Sequence, residues 1–577
     1  MKEMFQYLKP YRRGLIMATI AMAASTICDL MLPTIMSEVL NNGVYARNFD
    51  YIVACCARML IVALISLACV LIGSKISCKV VAYFCADVRS AVFRKVNAMS
   101  FEEFGKMGTG ALVTRATHDV DTVSWIASQA SGVLVTIFIL FFGGVALSLS
   151  KDVMLSLIML AFLPVIFIIV FVIGRKILPL WEESDKYIDK QNDIMRERLR
   201  GIRVIRAFNA ENKEHGRIAD ATRVMAQYII KGNVAMGLIT PLATFLLNLA
   251  TVLIVYLGGW RMESGSGLTG GDIFAIVQYI SLVSSGVVTG AFTIIMLPRA
   301  KVAAGRIAQV LEVEEMADPV EKQDMVLKGN ICFDQVSFSY AGSAEPALRN
   351  INIQISAGEK IAIIGGTGAG KSTLVSMLLG FRMPTEGQVR LDGKSLTELS
   401  RRTIRENVSC ALQNATIYSG TIRENVRMGK MDATDMQILD ALETAQASEF
   451  VSNFQEGLDH KIKQSGKNLS GGQKQRLSIA RAILKDAPVY IFDDSFSALD
   501  FLTEAKLRSA LAEKIAGKTQ IIITQRITSA MHCDRVFVMD RGEIVDSGTH
   551  RQLLSRCRVY QEIYASQTGG SHYEETE

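Results

Sequence analysis

The sequence predicts a membrane protein in two parts, an all-α domain of six transmembrane helices followed by a soluble α/β domain. The chain has 577 residues, several times the length of a typical single domain. Half of its residues are hydrophobic, yet 20% are charged, which fits membrane and soluble parts in one chain. Long apolar runs occur before Pro298, whereas short strand-like runs separated by amphipathic helices follow Lys301.

Six apolar runs are predicted to cross the membrane. Each approaches the roughly 20 residues that span a bilayer as a helix. They cover residues 14–39, 51–76, 127–148, 153–173, 235–260 and 273–297. The two long connections, residues 77–126 and 175–234, are predicted to form helical arms, because apolar residues such as Leu199, Ile202 and Ile205 recur at helical spacing.

The distribution of positive charge predicts the orientation. The two arms are rich in lysine and arginine, whereas the other three connections contain one basic residue each, Arg47, Lys151 and Arg261. By the positive-inside rule, the arms, the N-terminus and the soluble domain are cytoplasmic. Residues 1–13 are predicted to form an interfacial helix rather than a cleavable signal. The ten cysteines include no CxxC pair, so free thiols are expected.

The soluble part contains a nucleotide-binding motif. The strand-like run IAIIG leads into a glycine-rich stretch that ends in Lys371 and Ser372, and a helical pattern follows. This strand, loop and helix form the setting of a P-loop, whose amides and lysine hold phosphates and whose serine binds Mg²⁺. The candidate nucleotide-binding residues are Gly365, Gly366, Thr367, Gly368, Ala369, Gly370, Lys371, Ser372 and Thr373.

A second motif makes the class more specific. The stretch NLSGGQKQRLSIARAIL begins a long predicted helix. A Ser-Gly-Gly turn at a helix start is also consistent with an ordinary cap. Its position after the P-loop and shortly before VYIFDD resembles the signature motif of ATP-binding cassette (ABC) proteins. The signature residues are Leu469, Ser470, Gly471, Gly472 and Gln473.

The chain resembles a bacterial half-transporter of the ABC exporter class, in which six transmembrane helices are fused to one α/β P-loop NTPase cassette. The predicted segments are a membrane domain 14–300, a linker 301–328, a cassette 329–565 and a polar tail 566–577. The resemblance implies an ATPase that drives transport across the cytoplasmic membrane, with ATP and Mg²⁺ as cofactors. It also implies a second half-transporter as partner, contact with membrane lipid, and no nucleic acid.

The resemblance assigns further residues. Tyr340 resembles the aromatic residue that stacks on adenine, and Gln413 the Q-loop residue that senses Mg²⁺ and contacts the membrane arms. Asp493 resembles the Walker B carboxylate, which holds Mg²⁺ through water, and Ser372 completes the predicted metal site with Gln413. Cassettes of this family pair head to tail, so the signature motif is expected to contact the ATP of the partner chain.

Three positions depart from the family pattern. The residue after the Walker B Asp is usually Glu, but here it is Asp494, whose carboxylate is predicted to fall roughly an ångström short of the attacking water. The usual switch histidine is replaced by Gln525, which donates a hydrogen bond but cannot become cationic. Gln464 stands where a coupling-loop Glu is expected, which leaves the details of coupling open.

These departures predict a degenerate site in one half of a heterodimeric, multidrug-type exporter. Asp494 and Gln525 would impair the same ATP site, while the intact signature serves the site of the partner, which is expected to supply the working Glu and His. The predicted substrate is hydrophobic or amphiphilic. A homodimeric exporter or lipid flippase is the alternative, and an ATP-gated channel or membrane regulator is the alternative from another class.

Two charged residues in the spans are additional candidates. Asp29 lies in the outer half of the first span, and Arg58 enters the second span from the outside. An unpaired charge facing lipid is expensive, and the two residues lie within about two helical turns of the same depth. An ion pair between them is therefore predicted, either as a lock between two helices or with Asp29 facing a cavity and favouring cationic substrates.

Overall fold

The computed structural model describes residues 6–313, 327–340, 342–343 and 345–568. These residues form two units, which are described separately below. One contains residues 6–99 and 104–313, and the other contains residues 100–103 and the described part of 315–577. Residues 1–5 of the predicted interfacial helix, 314–326 of the predicted linker and 569–577 of the predicted tail lie outside the described residues.

From residue 6 to residue 311, the described chain is helical apart from short connections. A 3-10 turn, Lys9–Tyr11, precedes the first long helix, and a π-helical turn, Val39–Val44, follows it. The helices are α1 (Arg12–Glu38), α2 (Phe49–Ala98), α3 (Phe101–Met107), α4 (Thr109–Ala116), α5 (His118–Lys151), α6 (Val153–Ala207), α7 (Glu211–Gly237), α8 (Ile239–Glu263) and α9 (Gly270–Leu311).

Six helical segments of the described chain are long and apolar enough to cross a membrane, which confirms the six predicted spans. Two of the helices are much longer than a bilayer requires: α2 has 50 residues and α6 has 55. They are about 75 Å and about 83 Å long, more than twice the thickness of the hydrocarbon core. These helices therefore continue from the spans into the predicted arms. Helix α9 continues to Leu311, within the predicted linker.

Helix α9 is central to the packing of the spans. In its most apolar stretch of 18 residues, 50% of the residues are buried, compared with 6% in the corresponding stretch of α2. Close approach to α6 depends on Gly174, because a Cβ atom there would lie 1.9 Å from Ile295 Cδ1. Small residues at such contacts allow helices to pack closely in lipid, where no hydrophobic force draws helices together.

Ion pairs join neighbouring spans at the end opposite to the arms. Lys151 Nζ lies 2.9 Å from Asp272 Oδ1 and so connects α5 to α9. Arg261 Nη2 lies 2.9 Å from Asp152 Oδ2 and connects α8 to the start of α6. Two of the three basic residues in the short connections are thus neutralised by acids at helix N-termini, where a carboxylate is favoured by the helix dipole.

The predicted ion pair between Asp29 and Arg58 is wrong. Arg58 Nη1 instead lies 3.6 Å from Glu38 Oε2, while Asp29 accepts a hydrogen bond of 2.9 Å from the Ser66 hydroxyl. Ser66 is eight residues beyond Arg58 on α2, an axial distance of about 12 Å. Arg58 therefore meets the acid at the end of α1, and the position opposite Asp29 is occupied by a neutral hydroxyl.

The second unit is an α/β domain with two main sheets. An antiparallel sheet has the order β2-β1-β4-β5, and a six-stranded sheet has the order β12-β11-β3-β10-β9-β6. The strands are β1 (Ile331–Phe338), β2 (Leu348–Ile355), β3 (Lys360–Gly365), β4 (Glu386–Leu391), β5 (Lys394–Ser395), β6 (Val408–Ala411), β7 (Gly420–Thr421), β8 (Lys461–Ile462), β9 (Val489–Asp493), β10 (Thr519–Thr524), β11 (Arg535–Asp540) and β12 (Glu543–Gly548). This arrangement confirms the predicted α/β cassette.

Helices surround the six-stranded sheet and connect its parallel strands. They are α10 (Lys371–Leu378), α11 (Arg401–Asn407), α12 (Ile422–Arg427), α13 (Asp435–Thr444), α14 (Ser448–Ser452), α15 (Gly471–Leu484), α16 (Phe501–Lys514), α17 (Ile527–Ala530), α18 (His550–Arg556) and α19 (Arg558–Thr568). All ten cysteines are free in this structure.

Candidate active site

Three parallel strands at the centre of the six-stranded sheet end at the same edge. Every residue of β9 and β10 is buried, as is β3 after its first residue, which fits the apolar stretches at the centre of each strand. In register, Ile523 of β10 pairs with Asp493 of β9, and Thr524 pairs with Ile364 of β3. The P-loop, the two acids and Gln525 therefore follow neighbouring strand ends.

A cleft of about 330 Å³ lies at this edge. It brings together predicted site residues that are far apart in the sequence, from the adenine candidate to the switch position. Its lining comprises Tyr340, Ala347, Thr367, Gly368, Ala369, Gly370, Lys371, Ser372, Thr373, Gln413, Asp493, Asp494, Ile523, Thr524 and Gln525. Gly365 and Gly366 lie behind the lining and contribute carbonyl groups to Lys371.

Lys371 is held at the base of the loop. Its Nζ donates to the carbonyl oxygens of Gly365 at 2.7 Å and Gly366 at 2.6 Å. Burial lowers the pKa of Lys371, while Asp494 and Asp493 act in the opposite direction. Gly370 has a φ of 102°, and a Cβ atom there would lie 2.7 Å from Leu348 Cδ2. Only glycine fits this turn.

The start of α10 is suited to phosphate. Its N-cap, Gly370, provides no side-chain hydrogen bond to the first turn, so the N-terminal amides remain available to an anionic ligand. Ser372 is the second residue of α10 and hydrogen-bonds the carboxylate of Asp493. Amides, an ammonium group, a hydroxyl and carboxylates in one cleft form the donor set that a nucleoside triphosphate with Mg²⁺ requires. The residues present therefore fit ATP and Mg²⁺.

The two adjacent acids occupy different environments. Burial raises the pKa of Asp493 to about 6, and the charge of Asp494 adds to this shift, whereas Lys371 and Ser372 oppose it. At pH 7 the ionised form prevails, which is the form that binds Mg²⁺. Asp494 has a φ of 47°, and its Oδ2 lies 3.5 Å from Gln413 Nε2. Asp493 thus hydrogen-bonds Ser372 of the P-loop, whereas Asp494 lies beside Gln413 of the Q-loop.

Tyr340 is fixed beside the P-loop helix. Its hydroxyl lies 2.9 Å from Thr373 Oγ1, and its ring meets Phe338 edge to face, with centroids 5.0 Å apart. The guanidinium of Arg382 lies 4.6 Å from the ring centroid of Tyr340, a cation–π distance. The sequence did not indicate Arg382, which is 42 residues away from Tyr340 and carries no motif.

Two hydrogen bonds from the last helix hold the backbone around Gln525. Gln567 Nε2 donates to the Gln525 carbonyl at 2.6 Å, and the Ile527 amide donates to Gln567 Oε1 at 2.9 Å. One carboxamide of α19 thus bridges two backbone groups on either side of Arg526. Sequence reasoning missed Gln567, because it placed this residue in the polar tail.

A charged network holds the same loop from the other side. Arg526 Nη2 donates to the Ser497 carbonyl at 2.7 Å, and Nη1 lies 3.3 Å from Glu504 Oε2. Glu504 is buried and also accepts a 2.6 Å hydrogen bond from the Ser529 hydroxyl. The carboxylate is therefore paired and hydrogen-bonded, as a buried charge must be. The position of Gln525 depends on these contacts as well as on Gln567.

Replacing Gln567 by Ala is expected to loosen the Gln525 loop and to weaken ATP binding about fivefold. The reason is that two hydrogen bonds to the backbone are lost, each contributing on the order of 1 kcal/mol or less. Binding of a fluorescent ATP analogue and hydrogen exchange at residues 525–527 are the measurements. Gln561→Ala is the matched control, since Gln561 lies on α19 and donates to the Leu554 carbonyl. Unchanged exchange at residues 525–527 would contradict the positioning role.

The signature residues lie outside this cleft. Ser470 is the N-cap of α15: its hydroxyl accepts from the Gln473 amide at 3.3 Å, and the Ser470 amide donates to Gln473 Oε1 at 2.8 Å. The interpretation as a helix cap is thus correct for the local structure. Ser470 and Gly471 are exposed, and Leu469 is buried. None of residues 469–473 lines the cleft of its own chain.

The signature helix nevertheless contacts the Q-loop of the same chain. Gln475, on the second turn of α15, is buried, and its Nε2 donates to the Gln413 carbonyl at 2.8 Å. Gln475 Oε1 is buried without a hydrogen-bond partner among the described residues. Among the described residues, the Q-loop carbonyl is therefore the hydrogen-bond partner of the Gln475 side chain. This contact was not predicted, since it joins residues 62 positions apart.

A P-loop, a buried acid at the next strand end and a six-span helical domain in one chain define a membrane-bound P-loop ATPase. Residues 15–287 match the family model of the ABC transporter transmembrane region, and residues 348–497 match the model of the ABC transporter cassette. The chain belongs to the ABC transporter family, as a half-transporter of the bacterial exporter type. The predicted resemblance is confirmed.

Relatives match over nearly the whole chain. An uncharacterized ABC transporter ATP-binding protein of Mycobacterium tuberculosis is 33% identical over 570 residues, 98% of this chain and 97% of the relative. The ATP-dependent lipid A-core flippase of Albidiferax ferrireducens is 27% identical over 559 residues, 97% of this chain and 96% of that protein. The solved structure of a bacterial Atm1-family ABC exporter with ATP bound has a TM-score of 0.82 at 20% identity, covering 98% of this chain and 99% of the other, which shows a shared fold.

Proposed function

We propose that this chain exports a hydrophobic or amphiphilic compound across the cytoplasmic membrane, as one half of a heterodimeric ABC exporter. The family makes it an ATPase coupled to transport. The observation that carries the heterodimer is the position of Asp494 and Gln525, which line the same cleft. The signature at residues 469–473 matches the family pattern and lies outside that cleft. One ATP site of the pair is therefore weakened, and the other is served by an intact signature.

The residues of the cleft hold ATP more effectively than they hydrolyse it. Lys371 and the free amides of α10 would bind the phosphate oxygens of ATP, and Ser372 and Asp493 would hold Mg²⁺, which would neutralise charge on those oxygens. Asp494 is too short to reach the attacking water in the geometry that a Glu provides. Gln525 orients by hydrogen bonding but accepts no proton and carries no charge. We therefore expect nucleotide binding to be retained and water activation to be weakened.

An apolar groove of about 470 Å³ between α5, α6 and α9 supports a hydrophobic substrate. Its walls include Phe138, Phe141, Phe142 and Phe167, and every residue that lines it is apolar. Flat, polarisable rings of this kind accommodate varied hydrophobic compounds. Asp29, whose hydrogen bond comes from a neutral hydroxyl, stays a candidate for favouring cationic substrates.

Export by the reconstituted pair tests this function. We expect ATP-dependent flux of a hydrophobic dye into inside-out vesicles that contain this chain and a second half-transporter, and no flux from this chain alone. Asp29→Asn is expected to reduce flux of a cationic dye but not of a neutral one. Strong flux by this chain alone would instead establish a homodimer. An ATP-gated ion conductance without uphill transport would establish a channel.

A further inference from the structure

A cationic patch lies at the beginning of the first span. It consists of Lys9, Arg12 and Arg13, which together with Pro10 line a cleft of about 500 Å³. The three side chains are exposed, and none of them has a hydrogen bond or an ion pair within the described residues. Three positive charges within five residues repel one another. A shared anionic ligand relieves this repulsion.

The patch is held in place by the aromatic residue between its charges. The Tyr11 hydroxyl donates to Asp87 Oδ2 at 2.7 Å, and its ring stacks on Tyr83, with centroids 6.2 Å apart. Tyr7 and Leu8 pack against the same hydrophobic cluster as Tyr11. The segment thus presents its aromatic side to the protein and its cationic side to the surroundings. Asp87, on the neighbouring helix, is engaged by the tyrosine.

An exposed apolar track continues directly from the patch. Ile16, Met17 and Ile20 are 56%, 59% and 62% exposed. Residues four apart lie above one another on a helix, so Ile16 follows Arg12, and Met17 follows Arg13. Ile20 extends the track to about 12 Å from the level of Arg12. Charge and exposed apolar surface therefore meet within one helical turn.

We propose that the cationic patch and the apolar track bind one anionic phospholipid, which stays bound and is not exported. Its phosphate lies on Lys9, Arg12 and Arg13, and an acyl chain lies along Ile16, Met17 and Ile20. Free phosphate or a nucleotide would satisfy the charges but would make no contact with the apolar track. Six spans return the chain to the side on which it began, so the patch lies on the same side of the membrane as the end of the sixth span. In the proposed orientation this is the cytoplasmic leaflet, where anionic lipid attracts basic segments next to a span.

Lipid retention by the full-length protein tests this site. The protein is purified from vesicles made of an equal mixture of phosphatidylglycerol and phosphatidylcholine, and retained lipid is identified by native mass spectrometry. We expect preferential retention of phosphatidylglycerol, because each basic residue contributes about fivefold to binding at an anionic surface. Arg12→Gln with Arg13→Gln is expected to reduce that preference at least tenfold. Arg47→Gln, at the opposite end of the span, should leave it unchanged.

Three further measurements separate the lipid from other occupants. High salt should reduce the preference of the unaltered protein, so the site is tested even if the double variant fails to fold. Ile16→Ser should weaken retention without changing the charge. Displacement of the lipid by millimolar inorganic phosphate would overturn the proposal in favour of a simple anion site. Equal retention of both lipids by the unaltered protein, or loss of all retained lipid when a second half-transporter binds, would also overturn it. None of these readouts requires transport, so they stand apart from the proposed export function.

Discussion

Replacing Asp494 by Glu and Gln525 by His together is expected to raise the ATP turnover of the isolated chain at least tenfold. The change supplies a carboxylate of the length that the family uses and a side chain that can carry positive charge. Acid–base groups in position contribute about a hundredfold or more to such reactions. Two copies of the chain can present their intact signatures to each other. Phosphate release by the purified protein with Mg²⁺ and ATP is the measurement.

The backbone conformation at Asp494 is expected to make this double substitution destabilising. Asp494 has a φ of 47°, a region in which Asp and Asn are several-fold enriched over longer side chains. Glu at this position is expected to reduce stability by about 1 kcal/mol, which a thermal unfolding curve would show. Lys371→Ala is the control and should weaken ATP binding. Brisk hydrolysis by the unaltered chain without any partner would defeat the heterodimer hypothesis.

Gly472→Asp is expected to abolish most of the ATP turnover of the complete heterodimer, whereas Asp494→Asn is expected to change turnover less than about twofold. If the signature closes over the ATP of the partner, the aspartate places a negative charge beside the γ-phosphate, where low dielectric makes repulsion strong. Asp494, in contrast, belongs to the site that is proposed to contribute little hydrolysis. Steady-state turnover of the purified complex measures both effects.

Two control variants separate charge from size at the signature. A Cβ atom at Gly472 would lie 3.1 Å from the Ala498 carbonyl oxygen, whereas one at Gly471 would have no neighbour within 4 Å. Gly472→Ala therefore tests the steric component alone, and Gly471→Asp tests charge without this contact. Equal losses from Gly472→Asp and Asp494→Asn would mean that both sites hydrolyse, which is incompatible with the proposed asymmetry.

The sequence predicted the features that depend on periodicity and on contiguous motifs. Spans follow from apolar length, and the residues of the cleft were assigned from the P-loop motif and from the resemblance to the ABC family. The Asp29–Arg58 pair failed because counting along a helix gives an approximate depth but not the facing partner. Gln567 and Arg382 were missed for another reason: they support the cleft from distant elements, and single contacts of this kind leave no local pattern.

The buried side-chain amide of Gln475 would link the two ATP sites in a pair of chains. Its Nε2 donates a 2.8 Å hydrogen bond to the Q-loop carbonyl, and the side chain is buried on the helix that begins with the signature. Movement of the Q-loop therefore requires movement of this helix, or the buried hydrogen bond is lost. In the proposed heterodimer, ATP bound beside Gln413 would therefore influence the position of the signature motif of this chain. That signature motif would contact the ATP of the partner chain. If the proposed asymmetry holds, nucleotide bound at the site that does not hydrolyse ATP would affect the site that does.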